Sequence, residues 1–160
     1  MKSIEIHEFS LELKDKLPET YEILKASGIH VNPHVKKITL HGSRGPASTF
    51  CADSDIDLCL VTDIDTRLIP EEHLDTLLLR VLLTTLKNWH GPIQLDAAAI
   101  FDHVGCGLSC FSVGKYENLK CRNEADGCMG VYKLQEGWKG ILPPITRVEK
   151  IYPYLTIWQR

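Results

Sequence analysis

The stretch HGSRGPASTFCADSDIDLCLV, residues 41–61, decides the reading of this chain. An apolar run ends in Gly42-Ser43. After eleven intervening residues come Asp55-Ile56-Asp57, which open what otherwise reads as a buried strand. In a strand, residues i and i+2 point to the same face. Asp55 and Asp57 are therefore expected side by side, with Ile56, Leu58 and Leu60 packing behind them. Adjacent carboxylates repel, and a divalent cation between them removes that cost. Hard oxygen ligands suit Mg²⁺, which commonly takes one or two carboxylates together with substrate phosphates.

A third carboxylate on a neighbouring strand would complete a two-metal site. Asp96 in IQLDAAAI (93–100) is the candidate, and the small Ala97, Ala98 and Ala99 beside it leave room for a substrate. A surface role for Asp96 on an edge strand, or Asp102 in its place, is the alternative. Gly42 lets the backbone approach a phosphate closely. Ser43 offers a hydroxyl and an N–H at the expected start of a short helix, where anions are favoured, and it suits a helix N-cap as well. Arg44 suits either a forked contact to phosphate or a surface ion pair.

Outward from this stretch the chain alternates helices and strands, which argues an α/β or α+β fold. Residues 5–27 read as helical with a break at Pro18, and Gly28 as the C-cap. VKKITL (35–40), DIDLCLV (55–61) and IQLDAAAI (93–100) are the strands. Ile69 to Trp89 is the clearest helix, with Leu74, Leu77, Leu78, Val81, Leu82 and Trp89 at helical spacing. It serves as core or as a homodimer contact. After Phe101 the glycines multiply. A hairpin is expected around Val131–Leu134 and Gly140–Leu142, and the terminal TRVEKIYPYLTIWQR reads as a helical turn and an apolar tail docked on the body. Trp138, Tyr152, Tyr154 and Trp158 are expected to pack there. The division is a single domain over 1–160, with a core of about 30–103 and a Gly/Cys-containing C-terminal extension of about 104–160.

With 160 residues, 44% of them hydrophobic and 24% charged, the chain can bury a real core. No apolar run approaches the roughly 20 residues of a membrane span, and MKSIEIHEFS lacks the apolar region of a secretory signal. A cytoplasmic protein with no membrane partner is expected, its cysteines reduced. The net charge of −3 argues against broad, sequence-independent nucleic-acid binding. Charge is uneven: residues 1–103 carry 10 Lys+Arg against 16 Asp+Glu, and residues 104–160 carry 8 against 5. Cys106, Cys110, Cys121 and Cys128, with His103 nearby, depart from paired CxxC spacing, so structural thiols are expected there rather than zinc. Cys59 reads as core. His41 stands where it could line the site, although a lone His is more often structural.

Gly42-Ser43, the eleven-residue gap, Asp55-Ile56-Asp57 and a later strand Asp96 together resemble the nucleotidyltransferase superfamily typified by DNA polymerase β. The words GSR and DSDIDL are most similar to its minimal nucleotidyltransferases and to the aminoglycoside nucleotidyltransferases. The resemblance covers about residues 35–100. It implies a nucleotidyltransferase fold, a short mixed β-sheet flanked by helices. It implies that Asp55 and Asp57 bind two Mg²⁺ ions and the triphosphate, that Asp96 binds the catalytic ion and helps activate the attacking hydroxyl, and that Gly42 and Ser43, with Arg44, hold phosphate. The implied reaction moves a nucleoside monophosphate from an NTP, ATP first among them, to an acceptor hydroxyl on a protein, a tRNA end or a small molecule. The alternative it implies is an antitoxin or NTP-binding regulatory module paired with a small helical protein. One departure stands out: GSRGPAST has Gly45-Pro46 where many minimal members carry a second Arg-Gly.

Overall fold

The computed structural model describes residues 2–65, 68–101, 131–135, 138–142 and 153–160. Within them, three helices pack against a mixed six-stranded sheet. Two short strands, β1 (Ile4–Glu5) and β2 (His30–Val31), form a separate antiparallel pair. Between them lie α1 (Leu11–Lys16) and α2 (Pro18–Ser27). Then follow β3 (Val35–His41), β4 (Ile56–Thr62), α3 (Glu71–Lys87), β5 (Leu95–Phe101), β6 (Val131–Gln135), β7 (Trp138–Leu142) and β8 (Leu155–Gln159). The sheet order is β7-β6-β5-β4-β3-β8. Among the described strands only the β4–β5 pair is parallel, the crossover that α3 makes possible.

The alternation of each strand sorts its side chains into two faces. Ile38 and Leu40 of β3, Ile56, Leu58 and Leu60 of β4, Leu95, Ala97 and Ala99 of β5, and Leu155 and Ile157 of β8 join one core. Leu13 of α1, Leu17 between the first two helices, Leu24 of α2, and Leu74, Leu78, Val81 and Leu82 of α3 join it. The three described helices therefore cover the same face of the sheet, an α+β arrangement. The intervening residues, Thr39, His41, Asp57, Cys59, Val61, Asp96, Ala98 and Ile100, fall on the other face.

The middle strands and α3 lie within a few residues of their expected positions. The N-terminal segment does not, because residues 5–10 are not helical. Ile4 and Glu5 pair with Val31 and His30, and the Ile6 N–H donates to the Ile29 carbonyl at 2.9 Å. The backbone groups a helix would have used are thus committed to a strand pair. The helix begins only after Ser10, whose hydroxyl accepts from the Leu13 N–H at 3.2 Å, an N-cap bond. The segment expected as an extension supplies three of the six strands, β6 and β7 on one edge and β8 on the other. The expected hairpin is β6–β7, with Val131 opposite Leu142 and Gln135 opposite Trp138. The apolar tail is the edge strand β8, paired with β3. The expected helical turn before it lies outside the described residues, as do His103, the four cysteines from Cys106 to Cys128, Asp102 and Tyr152. Among the described residues no helix is long and apolar enough to cross a membrane.

Ile157 is fully buried and its carbonyl accepts from the Ser10 N–H at 2.8 Å, so the C-terminal strand also holds the start of α1. Ile157→Ala is expected to cost about 2–5 kcal/mol in chemical denaturation, the range for deleting a buried aliphatic side chain. A loss within about 0.5 kcal/mol, as at the surface, would mean that β8 is an appendage.

Candidate functional site

Sheet register brings the chemistry together. His41, the last residue of β3, is the cross-strand partner of Asp57, and Asp57 is the partner of Asp96. Three polar residues thus form a row across three adjacent strands, at the end of the sheet where β3 stops and β4 and β5 begin. Neighbouring strands are about 4.8 Å apart, so Asp57 and Asp96 are two half-buried carboxylates on adjoining positions of one face. Like charges placed directly opposite destabilise a sheet. Such a pairing is expected where a sequence serves a site rather than the fold.

Asp55 is half-buried and directly precedes β4. The β4 side of the ladder is anchored next to it, where the Ile56 N–H donates to the Gln94 carbonyl at 3.0 Å. Behind the row lie Cys59, whose Sγ is 3.8 Å from the His41 Nδ1, and Thr39, whose buried hydroxyl has no hydrogen-bond partner among the described residues. Cys59 is fully buried, as expected for a core residue. Of the three alanines expected beside the site, only Ala98 shares the Asp96 face. Ala97 and Ala99 belong to the core on the helix side.

The turn after β3 is shaped by close approach. Gly42 has a φ of 72°, a conformation that favours glycine. A β-carbon there would overlap the Asp57 carboxylate, lying 2.9 Å from its Cγ. A β-carbon on Gly45 would come within 2.8 Å of the His41 carbonyl carbon and oxygen. Gly45, the point of departure from the minimal-family pattern, is thus fixed by packing against the end of β3. The Gly45 N–H donates to the Gly42 carbonyl at 3.0 Å and the Ser48 N–H to the Gly45 carbonyl at 3.0 Å. These are turns, and the short helix expected at Ser43 does not form. Pro46 has no N–H to give and disfavours a helical conformation at Gly45. Ser43 is half-buried. Its carbonyl accepts from the Thr49 N–H at 3.0 Å, while its hydroxyl has no hydrogen-bond partner among the described residues.

Arg44 makes the expected ion pair, with Glu19, but from a buried position rather than at the surface. It is 2% exposed, and its fork points into its own loop. Nε donates to the Ser54 carbonyl at 2.7 Å, and Nη2 to the carbonyls of Cys51 at 3.3 Å and Ala52 at 3.2 Å. Nη1 pairs with Glu19 at 3.4 Å. The Arg44 carbonyl in turn accepts from the Thr20 hydroxyl at 3.0 Å. Arg44 therefore ties the β3–β4 loop into a closed shape and fastens it to the first turn of α2. Sequence reading missed Glu19 and Thr20 here, since nothing in local spacing links a helix start to a loop 24 residues on. The far end of the loop is knit by the Cys51 N–H on the Ser54 hydroxyl at 2.9 Å. The Cys51 thiol donates to Asp53 at 2.9 Å, and this bond holds the exposed Asp53 carboxyl below its ordinary pKa.

Among the described residues no group of three or more His, Cys, Asp or Glu side chains is gathered closely enough to hold a metal ion unaided. The donor set is nonetheless carboxylate oxygen, and two of the three carboxylates are cross-strand neighbours. That suits Mg²⁺ arriving with a phosphate ligand, which needs only one or two protein carboxylates. Clefts along α3, lined by Thr76, Arg80 and Leu83 among others, and beside β8, lined by Phe9, Ile157 and Trp158 among others, include none of these residues. Comparison of the chain with protein-family models, with curated proteins and with solved structures finds no match.

Arg44→Lys keeps the charge but loses the planar fork that reaches three carbonyls. It is expected to destabilise the protein by about 1–3 kcal/mol, the cost of leaving buried hydrogen-bonding groups unmet, read by urea denaturation. Stability equal to wild type would show that the loop does not depend on this side chain.

Proposed function

We propose that this chain is a Mg²⁺-dependent nucleotidyltransferase of the DNA polymerase β-like superfamily, in or near its minimal branch, with a nucleotidyltransferase fold. It would transfer a nucleoside monophosphate from an NTP to an acceptor hydroxyl. The observation that carries this reading is the register of Asp57 with Asp96, at the end of the sheet where the Gly42-Ser43 turn closes against the Asp57 carboxylate. A phosphate-accepting turn and paired carboxylates at one sheet end are the parts that phosphoryl transfer requires.

In this reading Ser43 presents its hydroxyl to the β- and γ-phosphates, and Gly42 keeps the backbone clear for them. Asp55, Asp57 and Asp96 would hold Mg²⁺, which when bound neutralises triphosphate charge and lowers the pKa of the acceptor hydroxyl. The acceptor oxygen bonds to the α-phosphorus as the bond from that phosphorus to the bridging oxygen of the leaving group breaks. Pyrophosphate departs with that electron pair. Asp96 helps activate the acceptor hydroxyl, whose proton passes to solvent water as the new bond forms. Arg44 takes no part in phosphate binding here. Its role is to hold the loop that joins the turn to Asp55.

The test is incubation of the purified protein with Mg²⁺ and each α-labelled NTP, alone and with cell lysate, beside Asp55→Asn/Asp57→Asn. Label is expected on protein, RNA or a small molecule, reduced at least about a hundredfold in the double variant, since metal charge stabilisation is worth several kcal/mol. Transfer that survives in the variant would overturn the assignment. Mg²⁺-dependent NTP binding without transfer would favour the regulatory alternative.

A further inference from the structure

The loop from Pro46 to Asp53 is exposed at every residue, and its one large apolar side chain is Phe50. A polar loop gains nothing from water around an aromatic ring, so its surroundings bear on its purpose. One side of the ring rests on the Arg44 guanidinium, whose Cζ lies 4.7 Å from the ring centroid, a cation–π distance. That guanidinium is buried and held by the carbonyls of Cys51, Ala52 and Ser54. The ring is therefore backed by a fixed support, yet it keeps 36% of its surface in solvent. Its chain neighbour Thr49 donates to the Ser43 carbonyl at 3.0 Å, which draws Phe50 back toward the turn proposed to receive phosphate.

A supported aromatic ring with open surface, beside a phosphate-accepting turn, matches the two ends of a nucleotide. We propose that Phe50 is a stacking platform for the nucleobase of the bound NTP. The inference rests on the nucleotidyl-transfer reading and adds to it the subsite for the base. Stacking requires only a π-face, which every base has. The platform thus tolerates all four bases, and the order among them follows stacking strength.

The test is calorimetric titration of the full chain with Mg²⁺ and either ATP or inorganic tripolyphosphate, for wild type, Phe50→Leu and Phe50→Trp. Base–aromatic stacking predicts that Phe50→Leu binds ATP about tenfold more weakly, while tripolyphosphate affinity stays unchanged and Phe50→Trp retains ATP affinity. ATP should also quench the fluorescence added by Phe50→Trp, and tripolyphosphate should not. Wild-type ATP affinity in Phe50→Leu overturns the proposal. So does an equal loss for both ligands, the result expected if Phe50 merely shields Arg44. A wild-type protein that binds both ligands equally tightly overturns the stacking alone. One that binds neither overturns the nucleotidyl-transfer reading with it.

Discussion

The register of β4 between its two neighbours is the constraint on which the rest of this structure depends. Asp57 stands opposite His41 on one side and Asp96 on the other. Because strand side chains alternate, a slip of one residue would turn Ile56, Leu58 and Leu60 out of the core and the carboxylates into it. The hydrophobic pattern of β4 thus holds the polar row in place: three fully buried aliphatic residues on the helix side define where Asp57 must project. The parallel pairing with β5 does the same for Asp96, with Leu95, Ala97 and Ala99 locked into the core around it. Packing on one face fixes the juxtaposition of the two carboxylates on the other.

The β3–β4 loop is the second support. Its ends are the turn at Gly42-Ser43 and the approach to Asp55, and both ends are tied by one buried side chain. The Arg44 fork gathers the carbonyls of residues 51, 52 and 54, and its backbone carbonyl and Nη1 are held by Thr20 and Glu19 of α2. Hydrogen bonds to a charged donor are stronger than neutral ones, and several on one planar group fix its orientation. Two glycines permit the tight closure, Gly42 beneath the Asp57 carboxylate and Gly45 against the His41 backbone. A long exposed loop is in this way given a definite shape beside the site.

Much of this was legible in the sequence. Alternating and helical periodicities locate β3, β4, α3 and β5, and the i, i+2 spacing of Asp55 and Asp57 with a later strand Asp marks the carboxylates. What escaped depends on contacts between distant residues. The role of Arg44 is set by carbonyls that have no sequence signature and by a helix start 24 residues upstream. The short β1 strand is too brief for any period to show and forms only because residues 29–31 come to meet it. The edge position of β8 depends on pairing with β3 more than a hundred residues away. Gly45-Pro46 read as a departure from a familiar phosphate loop, and its packing against His41 supplies the physical reason for a turn in place of a helix.

The central claim is that Asp57 and Asp96 act as one cation site completed by a nucleotide. The most direct measurement is an electron paramagnetic resonance titration of Mn²⁺, standing in for Mg²⁺, with and without a non-hydrolysable NTP analogue. It would compare wild type with Asp57→Asn and Asp96→Asn taken singly. Tight binding of Mn²⁺ only when the analogue is present, weakened at least about tenfold by either substitution, is the result the register predicts. Nucleotide-dependent Mn²⁺ binding that is indifferent to Asp96→Asn would contradict it, and would show that the two carboxylates, although neighbours in the sheet, do not share a ligand.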